Sequence, residues 1–170
     1  TKESPGVGSS QSTLKFGPVL STASTKPNIS VIVEYQECKA EISLDIYLPE
    51  DADFQFGLGD VSYLQFSKGT IQYFTGKQTK KVGTYPLNQW INVKFNNNYG
   101  SERTEQTTLL TVKDYSTNNI EQMTYGVRTS YTSVTSFKMV LAESSSNVYI
   151  DNLNFSLDRQ ADCQFDKEFD

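Results

Sequence analysis

Two carboxylates have a spacing that could support chemistry. An acid and a nucleophile that flank a glycosidic bond can cleave it. Glu41 and Asp45 lie four residues apart, and apolar residues occupy positions 40, 42, 44, 46 and 48. This alternation predicts a strand on which both carboxylates point away from the core. The pattern favours a solvent-facing strand surface over an active site.

The chain of 170 residues contains no histidine. Serine and cysteine hydrolases use a histidine as the base that activates their nucleophile, and nothing here supports a lysine-based variant. Zinc frameworks also need more ligands than two cysteines can supply. The sequence therefore predicts a protein that binds rather than an enzyme.

Aromatic and amide side chains suited to a sugar lie on the outward phases of several predicted strands. Aromatic rings can pack against the apolar side of a pyranose, and amides can hydrogen-bond its hydroxyls. If the strands near 63 and 92 adjoin in one curved sheet, five side chains would form a glycan-binding patch: Tyr63, Gln65, Gln72, Asn92 and Lys94. An ordinary hydrated sheet face is the alternative.

Tyrosines in predicted loops form a second group of candidates, because the rim loops of a sandwich often carry binding sites. They are Tyr85, Tyr99, Tyr115, Tyr125 and Tyr131. Tyr99 and Tyr131 are preferred, since they lie in polar segments at 96–100 and 129–134.

Charge and hydropathy exclude two classes of partner. The net charge of −5 repels phosphate backbones, so we expect no nucleic acid. No apolar run approaches the ~20 residues that span a bilayer, so we expect no membrane span. The first ten residues also lack the features of a signal peptide.

The candidate binding side chains lie on predicted strands or in the loops between them, and the strand pattern indicates a β-sandwich. Short runs of β-branched and aromatic residues alternate with turn residues, and helical periodicity is nowhere sustained. We predict eleven or twelve strands in two packed antiparallel sheets, with a hairpin at 67–69 and a meander over 54–96. Residues 1–11 are predicted to be a linker or tail, 12–157 the sandwich domain, and 158–170 an acidic tail.

The two cysteines, Cys38 and Cys163, allow one disulfide. Pairing would pin the acidic tail to the sandwich. The alternative is a buried thiol at 38 and an exposed thiol in the tail. Glycosylation sequons at Asn28 and Asn154 fit a secreted or extracellular location.

Segments 63–73, 82–85, 88–95 and 147–155 resemble the concanavalin-A-like, laminin-G-like jelly roll. A hairpin precedes a strand that reads Trp, any residue, apolar, and the closing strand contains Asp-Asn between apolar residues. Galactose-binding-like sandwiches, which end in a similar strand, are the alternative fold. The resemblance implies an all-β, two-sheet antiparallel jelly-roll sandwich with Trp90 in its core. The alternative for Trp90 is a ligand-binding platform, because it is opposite in phase to Ile91.

The function implied by the resemblance is a non-catalytic, lectin-like carbohydrate-binding module of a larger secreted or cell-surface protein. Its partners would be a glycan or polysaccharide and other domains of the parent chain. A protein-recognition or assembly domain of the laminin-G type is the alternative. Glucanases of this superfamily carry Glu-x-Asp-x-x-Glu and the related lyases Gln-x-His, and this chain has neither motif.

Asp151 lies in the predicted closing strand and shares the phase of Tyr149, Leu153 and Phe155. Its carboxylate is therefore predicted to point toward the packed side, where an unpaired charge would be costly. Either hydrogen-bond donors or a cation must satisfy it. In the families resembled, the matching aspartate often holds a structural Ca²⁺, so we expect calcium with Asp151 as a ligand.

Overall fold

A computed structural model describes residues 13–32, 39–58, 62–74, 79–99, 106–127 and 136–158, which form twelve β-strands. The strands are β1 (Leu14–Phe16), β2 (Asn28–Ile32), β3 (Lys39–Tyr47), β4 (Asp53–Leu58), β5 (Ser62–Ser67), β6 (Thr70–Phe74), β7 (Thr79–Thr84), β8 (Trp90–Tyr99), β9 (Gln106–Asp114), β10 (Ile120–Val127), β11 (Ser136–Glu143) and β12 (Val148–Asp158). These ranges contain no helix that could cross a membrane. The all-β prediction is confirmed.

The strands form two antiparallel sheets of six strands each. The first sheet has the order β1-β12-β3-β8-β9-β10 and the second has the order β2-β11-β4-β5-β6-β7. The chain therefore crosses between sheets several times, as in a jelly roll. The predicted two-sheet sandwich is confirmed.

The meander is shorter than predicted. Strands β4 to β7 pair consecutively within the second sheet, and the β5–β6 turn has positive φ at Lys68 (49°) and Gly69 (76°). Two positive φ angles define a turn whose twist matches that of the flanking strands. After β7 the chain crosses to the first sheet, where β8 pairs with β3 and β9. Including β8 in the meander was therefore wrong.

Phenylalanine side chains from both sheets meet in the core. Phe56 of β4 lies 4.9 Å from Phe54, 5.2 Å from Phe66 and 4.9 Å from Phe95 between ring centroids. Phe95 belongs to the first sheet and the other three to the second. Each buried ring contributes roughly 1.5–3 kcal/mol relative to exposure. The rings fix the inward phase of their strands and leave alternate positions facing out.

Strand β12 changes phase halfway along its length. Its pairing with β3 shifts between Asp151 and Asn154, and Asn152 has a φ of 48°. Ile150 before this bulge is buried, and Phe155 after it packs against the core. Asp151 therefore points to the outer face, and the prediction that it faces the packed side was wrong. A bulge inserts one residue, which an unbroken alternation cannot reveal.

Candidate functional site

The five residues of the predicted patch divide between the two sheets. Tyr63 and Gln65 lie on β5 and Gln72 on β6, whereas Asn92 and Lys94 lie on β8. The sheets pack through their inner sides, so their outer faces look in opposite directions. The prediction of a single patch was wrong because the chain changes sheet between β7 and β8.

The second-sheet face consists of the outward side chains of β4 to β7, and a row of amides crosses it. Gln55 of β4 lies opposite Gln65, which lies opposite Gln72, which in turn lies opposite Lys81 of β7. Neighbouring strands are ~4.8 Å apart, so the amide groups follow one another closely across the sheet. Sequence reasoning missed Gln55, although the buried Phe54 and Phe56 on either side of it give its outward phase.

Two aromatic rings stand beside this row. Tyr63 and Phe74 are cross-strand neighbours whose rings stack at 12°, with centroids 4.6 Å apart. On its other side Tyr63 lies opposite Gly57, which has no side chain. One face of the Tyr63 ring is therefore covered by Phe74, and the neighbouring position on the other side, the open position at Gly57, carries no side chain. Phe74 was also missed, although the inward Ile71 and Tyr73 assign its phase.

Asp53 lies at one end of the second-sheet face. Gln65 donates a hydrogen bond from Nε2 to Asp53 Oδ2, while Asp53 Oδ1 is buried with no partner among the described residues. Burial raises the pKa of the Asp53 carboxyl, Gln65 and Gln55 oppose this by hydrogen bonding to it, and the charge of Glu143 adds to the rise. The second-sheet face thus contains one partly buried carboxylate, of which one oxygen accepts no hydrogen bond from a described residue.

The first-sheet face consists of the outward side chains of β12, β3, β8 and β9, and Asp45 lies at its centre. Asp45 is only 3% exposed. Its Oδ1 accepts hydrogen bonds from Asn92 Nδ2 at 2.9 Å and from the Tyr115 hydroxyl at 2.5 Å. Its Oδ2 accepts one from Asn152 Nδ2 at 2.6 Å. Three donors from different elements thus compensate one buried charge.

Tyr115 covers this cluster from the turn after β9. Burial raises the pKa of its hydroxyl, and the hydrogen bond to Asp45 and the charge of Asp45 raise it further, against a smaller opposing effect of Asn92. The Lys113 ammonium lies 5.4 Å from the centre of the Tyr115 ring. Tyr115 therefore serves the structure of the first-sheet face and is not a free rim residue.

The predicted binding groups of β8 are engaged within the first-sheet face. Besides Asp45, the Asn92 amide donates to Ser43 Oγ and to the Leu44 carbonyl, both at 3.3 Å. Lys94 Nζ lies 3.4 Å from Glu41 Oε1. Because these groups already have partners, a ligand that used them would have to displace internal contacts.

An aromatic row crosses the same face above Asp45. Tyr149, Tyr47 and Trp90 lie opposite one another on β12, β3 and β8. Their rings meet edge to face, with centroids 6.2 Å apart for the two tyrosines and 6.1 Å for Tyr47 and Trp90. Trp90 is partly buried on the outer face. The prediction that it packs in the core was wrong, because its phase is opposite to that of Ile91.

Asp151 is 7% exposed and lies opposite Asp45 on the neighbouring strand. Its Oδ1 accepts a hydrogen bond of 2.8 Å from the Asn152 backbone N–H. Among the described residues, no group of three or more Asp, Glu, His or Cys side chains is placed to hold a metal. Calcium at Asp151 stays a prediction.

The remaining predicted residues lie elsewhere or outside the described ranges. Tyr131, Cys38 and Cys163 lie outside them, so the loop site and the disulfide stay predictions. Tyr99 is the last residue of β8, so the loop predicted at 96–100 was wrong from 96 to 99. Tyr85 is 5% exposed and belongs to the core, where burial raises its pKa to about 12.

A cleft of about 370 Å³ lies where the edge strands β7 and β10 meet. Buried Tyr85 and Val112 line it together with Glu121 and Asp114. Asp114 accepts hydrogen bonds from Ser116 N and Oγ at 2.8 and 2.7 Å, and these bonds lower its pKa. Of the residues predicted as sugar-binding candidates, only Tyr85 is among those that line the cleft, and its side chain is buried in the core.

The sheet order and the inward phenylalanines define a concanavalin-A-like jelly-roll sandwich. Galectin LEC-6 of Caenorhabditis elegans matches with a TM-score of 0.52 and 13% identity, over 77% of this chain and 93% of the galectin. Congerin II, solved with lactose and MES, matches with a TM-score of 0.51 and 9% identity, over 76% of this chain and 100% of congerin II. A tetrameric galectin from the ball sponge Cinachyrella sp. matches with a TM-score of 0.50 and 12% identity, over 75% of this chain and 98% of the galectin. No protein-family model and no curated protein sequence matches the chain.

Proposed function

We propose that the protein is a carbohydrate-binding module that holds a glycan on the second-sheet face and does not cleave it. The Tyr63–Phe74 stack beside Gly57 carries this proposal. Phe74 supports one face of the Tyr63 ring, and the missing side chain at Gly57 leaves room along the other. A pyranose placed over Gly57 can pack its C–H groups against that ring.

The amide row supplies polar contacts next to this platform. Gln65 lies two residues from Tyr63 on β5, a distance of ~6.6 Å along the strand. An amide offers both donors and acceptors, which suits a sugar hydroxyl that needs both. The Gln65 amide already donates one hydrogen bond to Asp53 Oδ2, which leaves its second N–H and its oxygen for a ligand. Gln72 makes no side-chain hydrogen bond to another described residue, so a ligand would not have to displace an existing contact. A sugar on Tyr63 can therefore reach the row with its hydroxyls.

The carboxylates considered for catalysis have structural partners. Asp45 is buried under three hydrogen-bond donors, and Glu41 pairs with Lys94. A general acid or nucleophile must approach the bond that it attacks, and Asp45 is covered. Binding without cleavage is therefore the function that these carboxylates support.

The likeness to galectins agrees with this proposal at the level of the fold. Congerin II was solved with lactose bound. The shared sandwich offers an outer sheet surface on which side chains from several strands can meet a sugar. The proposal itself depends on Tyr63, Gln65 and Gln72 of this chain.

A glycan array followed by isothermal titration calorimetry tests the proposal. Tyr63→Ala should weaken the binding of an array-selected oligosaccharide about tenfold, because it removes the stacking surface. Tyr149→Ala is the matched control, since it removes a partly exposed tyrosine from the first-sheet face. Its affinity should equal that of the unmodified protein.

A second variant tests the open position. Gly57→Thr places a β-branched side chain, which strands accept well, where the sugar would lie. It should abolish binding without lowering the melting temperature. Unchanged affinity in both Tyr63→Ala and Gly57→Thr would exclude the second-sheet face, and an array with no bound glycan would contradict the proposed function.

Protein recognition is a second candidate, favoured by the aromatic row of the first-sheet face. Tyr149, Tyr47 and Trp90 are partly exposed, and aromatic residues are enriched in protein interfaces. This function would be established if no glycan bound on the array and if a protein partner bound the unmodified protein but not Trp90→Ala. A secreted location, calcium at Asp151, the Cys38–Cys163 disulfide and a longer parent chain remain parts of the proposal.

A further inference from the structure

We propose that the glycan held on the second-sheet face is acidic, with carboxylate or sulfate groups on its sugars. This inference rests on the proposed function. Two lysines frame the face: Lys138 on β11, opposite Gly57, and Lys81 on β7, opposite Gln72. Both are exposed, and neither forms an ion pair with another described residue.

Lys138 lies across the open position from the Tyr63 ring. The order along this row is Lys138, Gly57, Tyr63 and Phe74, each on its own strand. Two strand spacings separate the backbones of Lys138 and Tyr63 by ~10 Å, with only a glycine between them. A sugar packed on Tyr63 would therefore lie between an aromatic ring and an ammonium group, within reach of the flexible lysine side chain.

Lys81 ends the amide row on the other side. A saccharide that follows Gln55, Gln65 and Gln72 across the sheet meets this second cation at β7. Successive acidic groups of an oligosaccharide could then be paired at both ends of the face. The neutral amides between them would bind hydroxyls.

The acidic residues of the face lie at its far end. Asp53 is four residues from Gly57 on β4, or ~13 Å along the strand, and Glu143 lies opposite Asp53. The Asp53 carboxylate accepts a hydrogen bond from Gln65, so it borders the amide row on the side away from Gly57. Lys138 is therefore the charged neighbour of Gly57 across the sheet, while Lys81 and Asp53 lie on opposite sides of the amide row.

Calorimetry with matched oligosaccharides tests this inference. The probes are an oligouronate, its carboxyl-reduced neutral counterpart and a sulfated oligosaccharide of the same length. The neutral probe should bind more weakly than at least one acidic probe, and whichever acidic probe binds identifies the carboxylate or the sulfate as the recognised group. Lys138→Gln and Lys81→Gln should each weaken acidic binding about threefold and leave neutral binding unchanged.

Lys80→Gln is the matched control, because Lys80 is an exposed neighbour of Lys81 on the opposite phase of β7. It should leave all affinities unchanged, and equal melting temperatures would show that the variants are folded. Equal affinity for acidic and neutral probes, lost in Tyr63→Ala, would overturn the acidic preference and keep the proposed function. An acidic preference untouched by both lysine variants would overturn the role of these lysines.

Discussion

Asp45 shows how a charged residue can be buried on the outside of a sheet. Its carboxylate accepts hydrogen bonds from Asn92 on the next strand, from Tyr115 in the turn after β9 and from Asn152 at the bulge of β12. Asp45→Ala leaves these donors without their acceptor, and we expect it to lower the free energy of unfolding by about 3 kcal/mol. Urea denaturation measures this loss. Glu41→Gln, on the same face of β3 but partly exposed, should cost under about 1 kcal/mol.

Asp53 gives the second-sheet face a pH dependence. Burial raises its pKa above the unfolded value near 3.8, so its ionisation makes stability fall as the pH rises through the folded-state pKa. Asp53→Asn should therefore gain stability relative to the unmodified protein between pH 3 and pH 7. Urea denaturation across this range measures the difference, and a difference that does not vary with pH would contradict the prediction.

Asp51 is a control for this prediction, because its ionisation should change the folding stability with pH in the opposite direction. Hydrogen bonds from Ser145 lower the pKa of its carboxyl, and the backbone N–H of Ser145 lies 2.6 Å from Asp51 Oδ2. The stability that this contact gives is present above the unfolded-state pKa and is lost as the pH falls. Asp51→Asn should accordingly lose stability relative to the unmodified protein between pH 3 and pH 7.

At the scale of elements, the two sheets meet along one side where β7 approaches β10. Gly83 of β7 packs against Met123 of β10, and a Cβ at Gly83 would overlap the methionine sulfur and lie 3.0 Å from Cε. Gly83→Ala should cost about 1–3 kcal/mol through this overlap. Denaturation of Gly83→Ala in the Met123→Ala background checks the cause. The alanine should cost clearly less there, and an equal cost would assign the effect to the backbone of β7.

The bounds of the strands follow from the sequence more readily than their partners do. Alternating apolar residues predict β4 and β6 to the residue, because each strand has one buried and one outward phase. The bulge at Asn152 was invisible, since polar residues at 152 and 154 look like a continued alternation. A strand pattern also does not say which sheet a strand joins, so the crossing between β7 and β8 was missed.

The candidate site shows the same limit at the scale of the molecule. Tyr63, Gln65 and Gln72 were predicted together and lie together, because local phase and a short hairpin bring β5 and β6 side by side. Asn92 has the same outward phase but belongs to the other sheet. The value of Gly57 as an open position depends on its register with Tyr63 and Lys138, and that register forms only in the folded sheet.

The arrangement of the molecule places the most buried polar cluster and the proposed binding face on opposite outer surfaces. The core around Phe56 separates Asp45 from Tyr63. Asp45→Ala should therefore bind an array-selected glycan with unchanged affinity while it remains folded. Tyr63→Ala should stay within about 1 kcal/mol of normal stability and bind the glycan about tenfold more weakly.

Scanning calorimetry with and without glycan measures the folding stability and the glycan binding of each variant in one experiment. A ligand at 100 times its dissociation constant stabilises the folded state by ~2.7 kcal/mol. This should raise the melting temperatures of the unmodified protein and of Asp45→Ala equally. Tyr63→Ala, which binds about tenfold more weakly, should be stabilised by only ~1.4 kcal/mol at the same glycan concentration. If folded Asp45→Ala lost its response to glycan while Tyr63→Ala kept the full response, the glycan would bind on the first-sheet face, because only that surface depends on the Asp45 hydrogen bonds.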